Sequence, residues 1–105
     1  MRIKLLVNKR FPSIEKYLLS DQIIRAANSI VLNIAEGADR GTDKDFALFL
    51  NRSHTSLNEV VACLDIALKE KYITSRIHMK YLDEARDLAD QLTAFRRKLL
   101  IKPTK

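Results

Sequence analysis

The scarcity of residues that break helices is the strongest constraint on the fold of this chain. Only two glycines and two prolines occur among 105 residues. Because glycine and proline usually mark turns and interrupt helices, so few of them favour long helices over a turn-rich β architecture. The length indicates one domain, residues 1–105, large enough for a core of its own. The expected fold class is therefore all-α.

Apolar residues recur at three- and four-residue spacing along most of the chain, which is the period of an amphipathic helix. The predicted helices span residues 2–10, 20–39, 43–71 and 75–100. Gly37 and Gly41 bracket the end of the second helix, where a left-handed residue is favourable. Thr42 followed by Asp45 is typical of a capping box that opens the third. Since the connections are short, we predict an antiparallel up-down four-helix bundle with a shortened first helix.

The composition of the chain excludes some classes of protein and favours others. No apolar run approaches the roughly 20 residues that a membrane span needs, so we expect a cytoplasmic protein with no membrane contact. The single cysteine, Cys63, excludes an internal disulfide. The net charge is +6, and its excess lies at the two ends of the chain, which favours contact with a polyanion such as RNA or DNA. The predicted contacts are Arg2, Lys4, Lys9, Arg10, Arg96, Arg97 and Lys98.

Polar residues form a straight stripe along the second helix, because they step by three or four positions. If the second and third helices fold back around Gly41, Ser29 lies opposite Ser56 and Arg25 lies opposite Glu59. Glu36 then falls within about a turn of Arg52. We call the following positions the polar seam, between helices or between subunits: Gln22, Arg25, Ser29, Asn33, Glu36, Arg52, Ser56 and Glu59. Small serines allow a close approach there, and opposite charges neutralise each other.

Enzymatic motifs are not apparent in the sequence. It contains no phosphate-binding glycine loop and no nucleophile elbow, and neither His54 nor His78 has metal ligands at a suitable spacing. We therefore expect no catalytic residue, no cofactor and no metal. A cryptic enzyme would need a pocket that gathers Glu36, Glu59 and His54.

Two stretches carry a family resemblance: FPSIEKYLLSDQIIRAANSIVLNIAEG and, after it, RGTDKDFALFLNRSHTSLNEV. The segment NIAEG, residues 33–37, lies near the end of the predicted second helix. The matching positions are Phe11 and Pro12, Leu19 through Gly37, Thr42, Asp45 and Phe46, and Ser56, Leu57 and Glu59. In these positions the chain resembles the 23S rRNA intervening-sequence protein family, and the resemblance covers residues 11 to about 100.

The resemblance implies a four-helix bundle that assembles as a homo-oligomer, typically a pentamer. It also extends to the accessory variability determinant protein of diversity-generating retroelements, which implies nucleic acid and a reverse transcriptase as partners. The chain departs from the family pattern in its short first helix and in Arg52, which stands at a usually apolar position and offers Glu36 or Asn33 a partner. The expected function is a non-enzymatic assembly that binds nucleic acid. The alternative is a protein-interaction or scaffold module with no direct nucleic-acid contact.

Overall fold

The computed structural model describes residues 1–101, which form four α-helices and no β-strand. The helices are α1 (Ile3–Arg10), α2 (Leu19–Ala38), α3 (Asp43–Lys69) and α4 (Ser75–Leu100), and a turn of 3-10 helix (Ser13–Glu15) lies between α1 and α2. The all-α prediction is confirmed, and the helix ends differ from the predicted ones by at most two residues. The predicted domain extends over residues 102–105, which lie outside the described residues.

The helices pack in chain order around one core. Helix α2 packs against α3, α3 packs against α4, and α1 packs against α2. The start of α1 also reaches α4, because the Tyr81 hydroxyl donates to the carbonyl of Arg2 (3.3 Å) and the amino group of Met1 lies 3.9 Å from the Glu84 carboxylate. Helix α1 therefore lies between α2 and α4 and completes a four-helix cross-section.

The four-helix cross-section occupies only one end of the molecule. Helix α1 has 8 residues and α2 has 20, which correspond to lengths of about 12 Å and 30 Å. Only Ile3, Leu6 and Val7 of α1 are buried. The bundle continues beyond the start of α1 as three helices, which explains its elongated shape of 56 × 25 × 17 Å. The prediction of a shortened first helix is confirmed.

The core follows the apolar stripes of the helices. Ile23, Val60 and Leu64 have no exposed surface, and Leu50 and Leu57 are nearly as buried. Full burial of such a side chain stabilises a fold by about 1.5–3 kcal/mol. All of these residues except Ile23 belong to α3, so the third helix is the central element of the bundle.

The connector between α1 and α2 is fastened to the turn between α3 and α4. The Tyr72 hydroxyl donates to the Glu15 carboxylate, and this hydrogen bond raises the pKa of Tyr72 to about 12. The same carboxylate accepts from the backbone N–H of Leu19 (3.4 Å), the first residue of α2. The ring of Phe11 lies 5.8 Å from that of Tyr72, centroid to centroid. Glu15 therefore joins the start of α2 to the far end of α3.

Helix α3 ends in a Schellman motif with a lysine at the left-handed position. The N–H of Tyr72 donates to the carbonyl of Ala67 (2.9 Å), and the N–H of Lys71 donates to that of Leu68 (3.0 Å). Lys71 has φ of 63°, a conformation that usually favours glycine. A side chain in this conformation is strained because its Cβ crowds the following carbonyl.

We predict that Lys71→Gly stabilises the protein. The left-handed conformation costs a non-glycine residue about 1–2 kcal/mol, and the extra freedom of glycine in the unfolded chain offsets part of that gain. The expected increase in the free energy of unfolding is about 0.5–1 kcal/mol, or roughly 2–8 °C in Tm, measured by thermal and urea denaturation. Lys69→Gly, in the last helical turn, is the control and should destabilise. A lower Tm for Lys71→Gly would contradict the prediction.

Candidate functional site: the polar seam and the basic ends

The centre of the polar seam is a chain of hydrogen bonds between α2 and α3. The hydroxyl oxygens of Ser29 and Ser56 are 2.8 Å apart, as the predicted hairpin register requires. The Ser56 hydroxyl also lies within donating distance of the carbonyl of Arg52 (3.2 Å), so either serine can be the donor of the pair. Asn33 in turn donates to the Ser29 hydroxyl (3.0 Å) and to the Ser29 carbonyl (2.8 Å). The seam is therefore neutral at its centre.

A second hydroxyl group, that of Ser53, crosses the contact between α2 and α3 although Ser53 is not among the predicted seam residues. Ser53 is fully buried and donates to the backbone carbonyl of Ile30 (2.9 Å). It lies three residues before Ser56 and therefore one turn along the same face of α3. This three-residue spacing is the sequence feature from which a role for Ser53 could have been predicted. Among residues 1–101, no buried side-chain nitrogen or oxygen lacks a hydrogen-bond partner.

The charged pairs predicted across the seam do not form. Arg25 donates from Nε and one terminal nitrogen to the Asp21 carboxylate (3.0 and 2.7 Å) instead of Glu59, and this hydrogen bond raises the pKa of Arg25. Glu36 accepts from Arg40 (3.0 Å) instead of Arg52. Partners four residues apart on one helix are already adjacent, and they stay in water. A pair across the seam would have to be desolvated, which costs more than it gains unless the geometry is ideal.

The remaining seam residues lie at its solvent edge. Gln22 and Glu59 are exposed and line a shallow groove between α2 and α3 together with Arg25. Arg52 lies over the ring of Phe49, with its guanidinium carbon 4.6 Å from the ring centroid. Of the seam residues, Ser29 and Ser56 are therefore in contact between α2 and α3, whereas Arg25 and Glu36 form their ion pairs within α2 or at its end.

Gly37 of the NIAEG segment has a packing role that differs from the predicted one. It lies inside α2 without a left-handed conformation, and Gly41 has none either. A Cβ atom at Gly37 would lie 2.7 Å from Cβ of Phe49 and 2.9 Å from Cδ1 of Phe46. Both distances are too short for a methyl group, so the absence of a side chain lets α3 approach. Arg40 covers the ring of Phe49 at 4.8 Å, which shields that ring from water.

The predicted nucleic-acid contacts fall into two separate groups. The N-terminal cations, on or beside α1, are Arg2, Lys4, Lys9 and Arg10; the C-terminal cations, in the last turns of α4, are Arg96, Arg97 and Lys98. All seven residues are exposed. Because Met1 lies beside Glu84 of α4, thirteen residues before Arg97, the start of the N-terminal group is about 20 Å from Arg97 along α4. Lys9 and Arg10 lie farther away, since the next residue, Phe11, packs against Tyr72 before the start of α4. Lys9 and Arg10 end α1 and Arg97 and Lys98 end α4, where cations also stabilise the helix dipole.

The acids and the histidine that a cryptic enzyme would need lie apart. Glu59 and Glu36 border different parts of the outer surface of α2, whereas His54 lies in a depression between α3 and α4 beside Arg96. The other histidine, His78, pairs with Asp65 at 2.7 Å.

The single cysteine belongs to the core of the bundle. Cys63 is buried, and burial raises the pKa of its thiol, which keeps the thiol protonated. Residues 1–101 contain no group of three or more His, Cys, Asp or Glu side chains that could hold a metal ion.

Comparison with models of protein families assigns the chain to one family. It belongs to the 23S rRNA-intervening sequence protein family, whose model matches residues 1–94. The predicted family is therefore confirmed. The match includes α1, α2, α3, the polar seam and most of α4, and it ends before the C-terminal cations. Comparison with curated proteins finds no match. Within the part of the chain that the structure describes, no helix is long and apolar enough to cross a membrane.

We predict that Gly37→Ala destabilises the protein although alanine is the better helix former. The added methyl group forces Phe49 and Phe46 apart, and overpacking of this kind typically costs about 1–3 kcal/mol, against a helix-propensity gain of about 1 kcal/mol. Urea denaturation should therefore show a lower midpoint. Gly41→Ala is the matched control, since nothing lies within 4 Å of its added Cβ. Equal effects of the two changes would show that the close approach at Gly37 is unimportant.

We also predict that Ser29 and Ser56 are energetically coupled. Each single change to alanine leaves the remaining seam hydroxyl with one fewer partner, whereas the double change removes the hydrogen bond as a unit. A double-mutant cycle on the free energy of unfolding should give a coupling of about 0.5–1.5 kcal/mol. Thr55→Ala serves as the control in each background, because the exposed Thr55 hydroxyl bonds only within its own helix, to the carbonyl of Asn51. A coupling near zero would mean that the seam hydrogen bond adds nothing.

Proposed function

We propose that this protein is a non-enzymatic, homo-oligomeric helical bundle that binds nucleic acid, with structured RNA as the best candidate. The observation that carries the proposal is the charge of the two chain ends. Residues 1–14 contain four cations and no acid, and residues 91–101 contain three cations and no acid. Contacts made by such groups go to phosphates, which fix position and supply affinity without reading sequence.

The C-terminal cations have a neighbourhood suited to phosphate. Arg96 shares its depression between α3 and α4 with Asn51, His54 and Thr93. Amide and hydroxyl donors of this kind accompany Arg and Lys in many phosphate contacts. A backbone phosphate near Arg96 would therefore meet neutral donors as well as a cation.

The spacing of the two cationic groups favours a structured ligand. The N-terminal cations and the C-terminal cations are at least about 20 Å apart on one molecule, a distance that a duplex stem can span and a mononucleotide cannot. Assembly into a homo-oligomer would repeat both groups around the particle and strengthen binding through multivalency. The separate placement of Glu36, Glu59 and His54 supports a binding role in place of catalysis.

The alternative function, a protein-interaction module, is favoured by one specific observation. Ile14 and Tyr17, in the connector between α1 and α2, are 79% and 81% exposed. Large apolar side chains that remain in water at nearby positions are common where another protein binds. If the protein is an interaction module, its cations are only a solvated surface, and a bound protein partner remains bound after nuclease treatment.

The test is a salt titration of RNA binding, with an RNA hairpin whose stem has about 16 base pairs as the probe. We expect affinity at low salt that falls steeply as salt increases. The triple variant Arg96→Ala/Arg97→Ala/Lys98→Ala should weaken binding and reduce the slope of log K against log salt by roughly 2–3.

A matched variant separates local contacts from net charge. Arg76→Ala/Lys80→Ala/Arg86→Ala removes the same charge from exposed positions of the same helix. It should change the slope much less than the triple variant at the end of α4 does. Equal effects, or no RNA affinity at low salt, would overturn the nucleic-acid proposal and leave the protein-interaction reading.

A further inference from the structure

The outward face of α2 carries a charge pattern that is complementary to itself. We define the α2 face as Asp21, Arg25, Ser29, Leu32 and Glu36 of the helix together with Arg40, which lies two residues beyond its end. Leu32, near the middle of this face, is 67% exposed although it is one of the larger apolar side chains of the helix. Arg25 and Glu36, on either side of it, have side chains that are 78% and 56% exposed. Helix α1 lies along another side of α2 and leaves this surface open.

The order of charges along the α2 face is acid, base, acid, base. Asp21 pairs with Arg25 at one end and Glu36 pairs with Arg40 at the other, each with the acid first. The two pairs are fifteen residues apart, or about 22 Å along the helix axis. Read in the opposite direction, the order is base, acid, base, acid. An antiparallel copy of the same helix would therefore bring every charge opposite one of the other sign.

We propose that a second copy of this chain docks on the α2 face through an antiparallel, twofold-symmetric contact. If the twofold axis passes between Ile30 and Val31, Arg25 of one copy faces Glu36 of the second. Leu32 of one copy then lies within about 4.5 Å, along the helix axis, of Leu32 of the second. The exposed leucines cover each other at the centre, with the charges on both sides. Ser29, opposite Leu32 of the second copy, is small enough to let the helices approach.

This contact differs from the contacts that close a ring. A ring of five subunits uses two different patches on each subunit, whereas the α2 face meets itself and so joins units in pairs. Pairing of this kind can join two single chains or two rings. The inference adds a second kind of self-contact to the proposed assembly, and it holds or fails independently of nucleic-acid binding.

The area of the α2 face determines how strongly two copies should associate through it. A strip about 30 Å long and roughly 10 Å wide offers on the order of 300 Å² per copy, well below the ~800 Å² per partner of a standard stable interface. The isolated contact is therefore weak, and its charges are decisive for specificity and orientation. Association should depend on concentration and weaken as salt increases.

The test is a charge reversal across the twofold axis, read out as solution mass by sedimentation velocity up to high micromolar concentration. Arg25→Glu places glutamate opposite Glu36 of the second copy, and Glu36→Arg places arginine opposite Arg25 of the second copy. Each change occurs twice in a symmetric contact, so each single variant should weaken pairing at least tenfold and halve the mass of the paired species. The double variant Arg25→Glu/Glu36→Arg restores opposite charges across the axis and should recover pairing.

Recovery of pairing in the double variant would distinguish docking between two copies from stabilisation within one chain. In the double variant, the new glutamate would adjoin Asp21 and the new arginine would adjoin Arg40, so both intrahelical pairs become repulsive. A purely intramolecular role would therefore make the double variant worse than either single variant. Arg86→Glu, on the exposed surface of α4, is the control and should leave the mass unchanged. Unaltered pairing in the single variants, no recovery in the double variant, or a wild type that does not pair would overturn the proposal, whatever the result of the RNA titration.

Discussion

Helices α2 and α3 lie against each other along their length because small residues stand at the points of closest approach. Gly37 admits the β-carbon of Phe49 at one end of the contact, and Ser29, Ser53 and Ser56 occupy its middle. Any larger side chain at these points would separate the helices and open the core beneath them. The positions of Ile23, Val60 and Leu64, all without exposed surface, depend on that approach.

The polar groups of the contact between α2 and α3 are hydroxyls and an amide, and the charges stay at its edge. A hydroxyl needs one acceptor for its hydrogen, so the series from Asn33 through Ser29 and Ser56 to a backbone carbonyl satisfies its members without a buried ion. Burial of an arginine and a glutamate would require desolvation of both. The hydrogen bonds thus fix the relative register of the two helices at little energetic cost.

Much of this architecture could be predicted from the sequence, and the exceptions have physical causes. The helical period and the hairpin at Gly41 determine which residues of α2 and α3 face each other, which is why Ser29 opposite Ser56 was predictable. The partners of Arg25 and Glu36 were not predicted, because the hairpin register offers partners across the seam while Asp21 and Arg40 compete four residues away on the same helix. The packing role of Gly37 depends on the exact position of Phe49, which a periodic pattern does not specify.

Because the first helix is short, the two ends of the molecule differ in the free energy that local opening requires. Helix α1 contributes only Ile3, Leu6 and Val7 to the core, yet it caps the part of the bundle that contains Ile23. An element with so few buried contacts opens at a lower free energy than the long helices around it. Opening of α1 would carry Arg2, Lys4, Lys9 and Arg10 away from the bundle as one cationic arm. The strength with which the arm is held, through Tyr81, Glu84 and the Phe11–Tyr72 contact, therefore sets the reach of those charges.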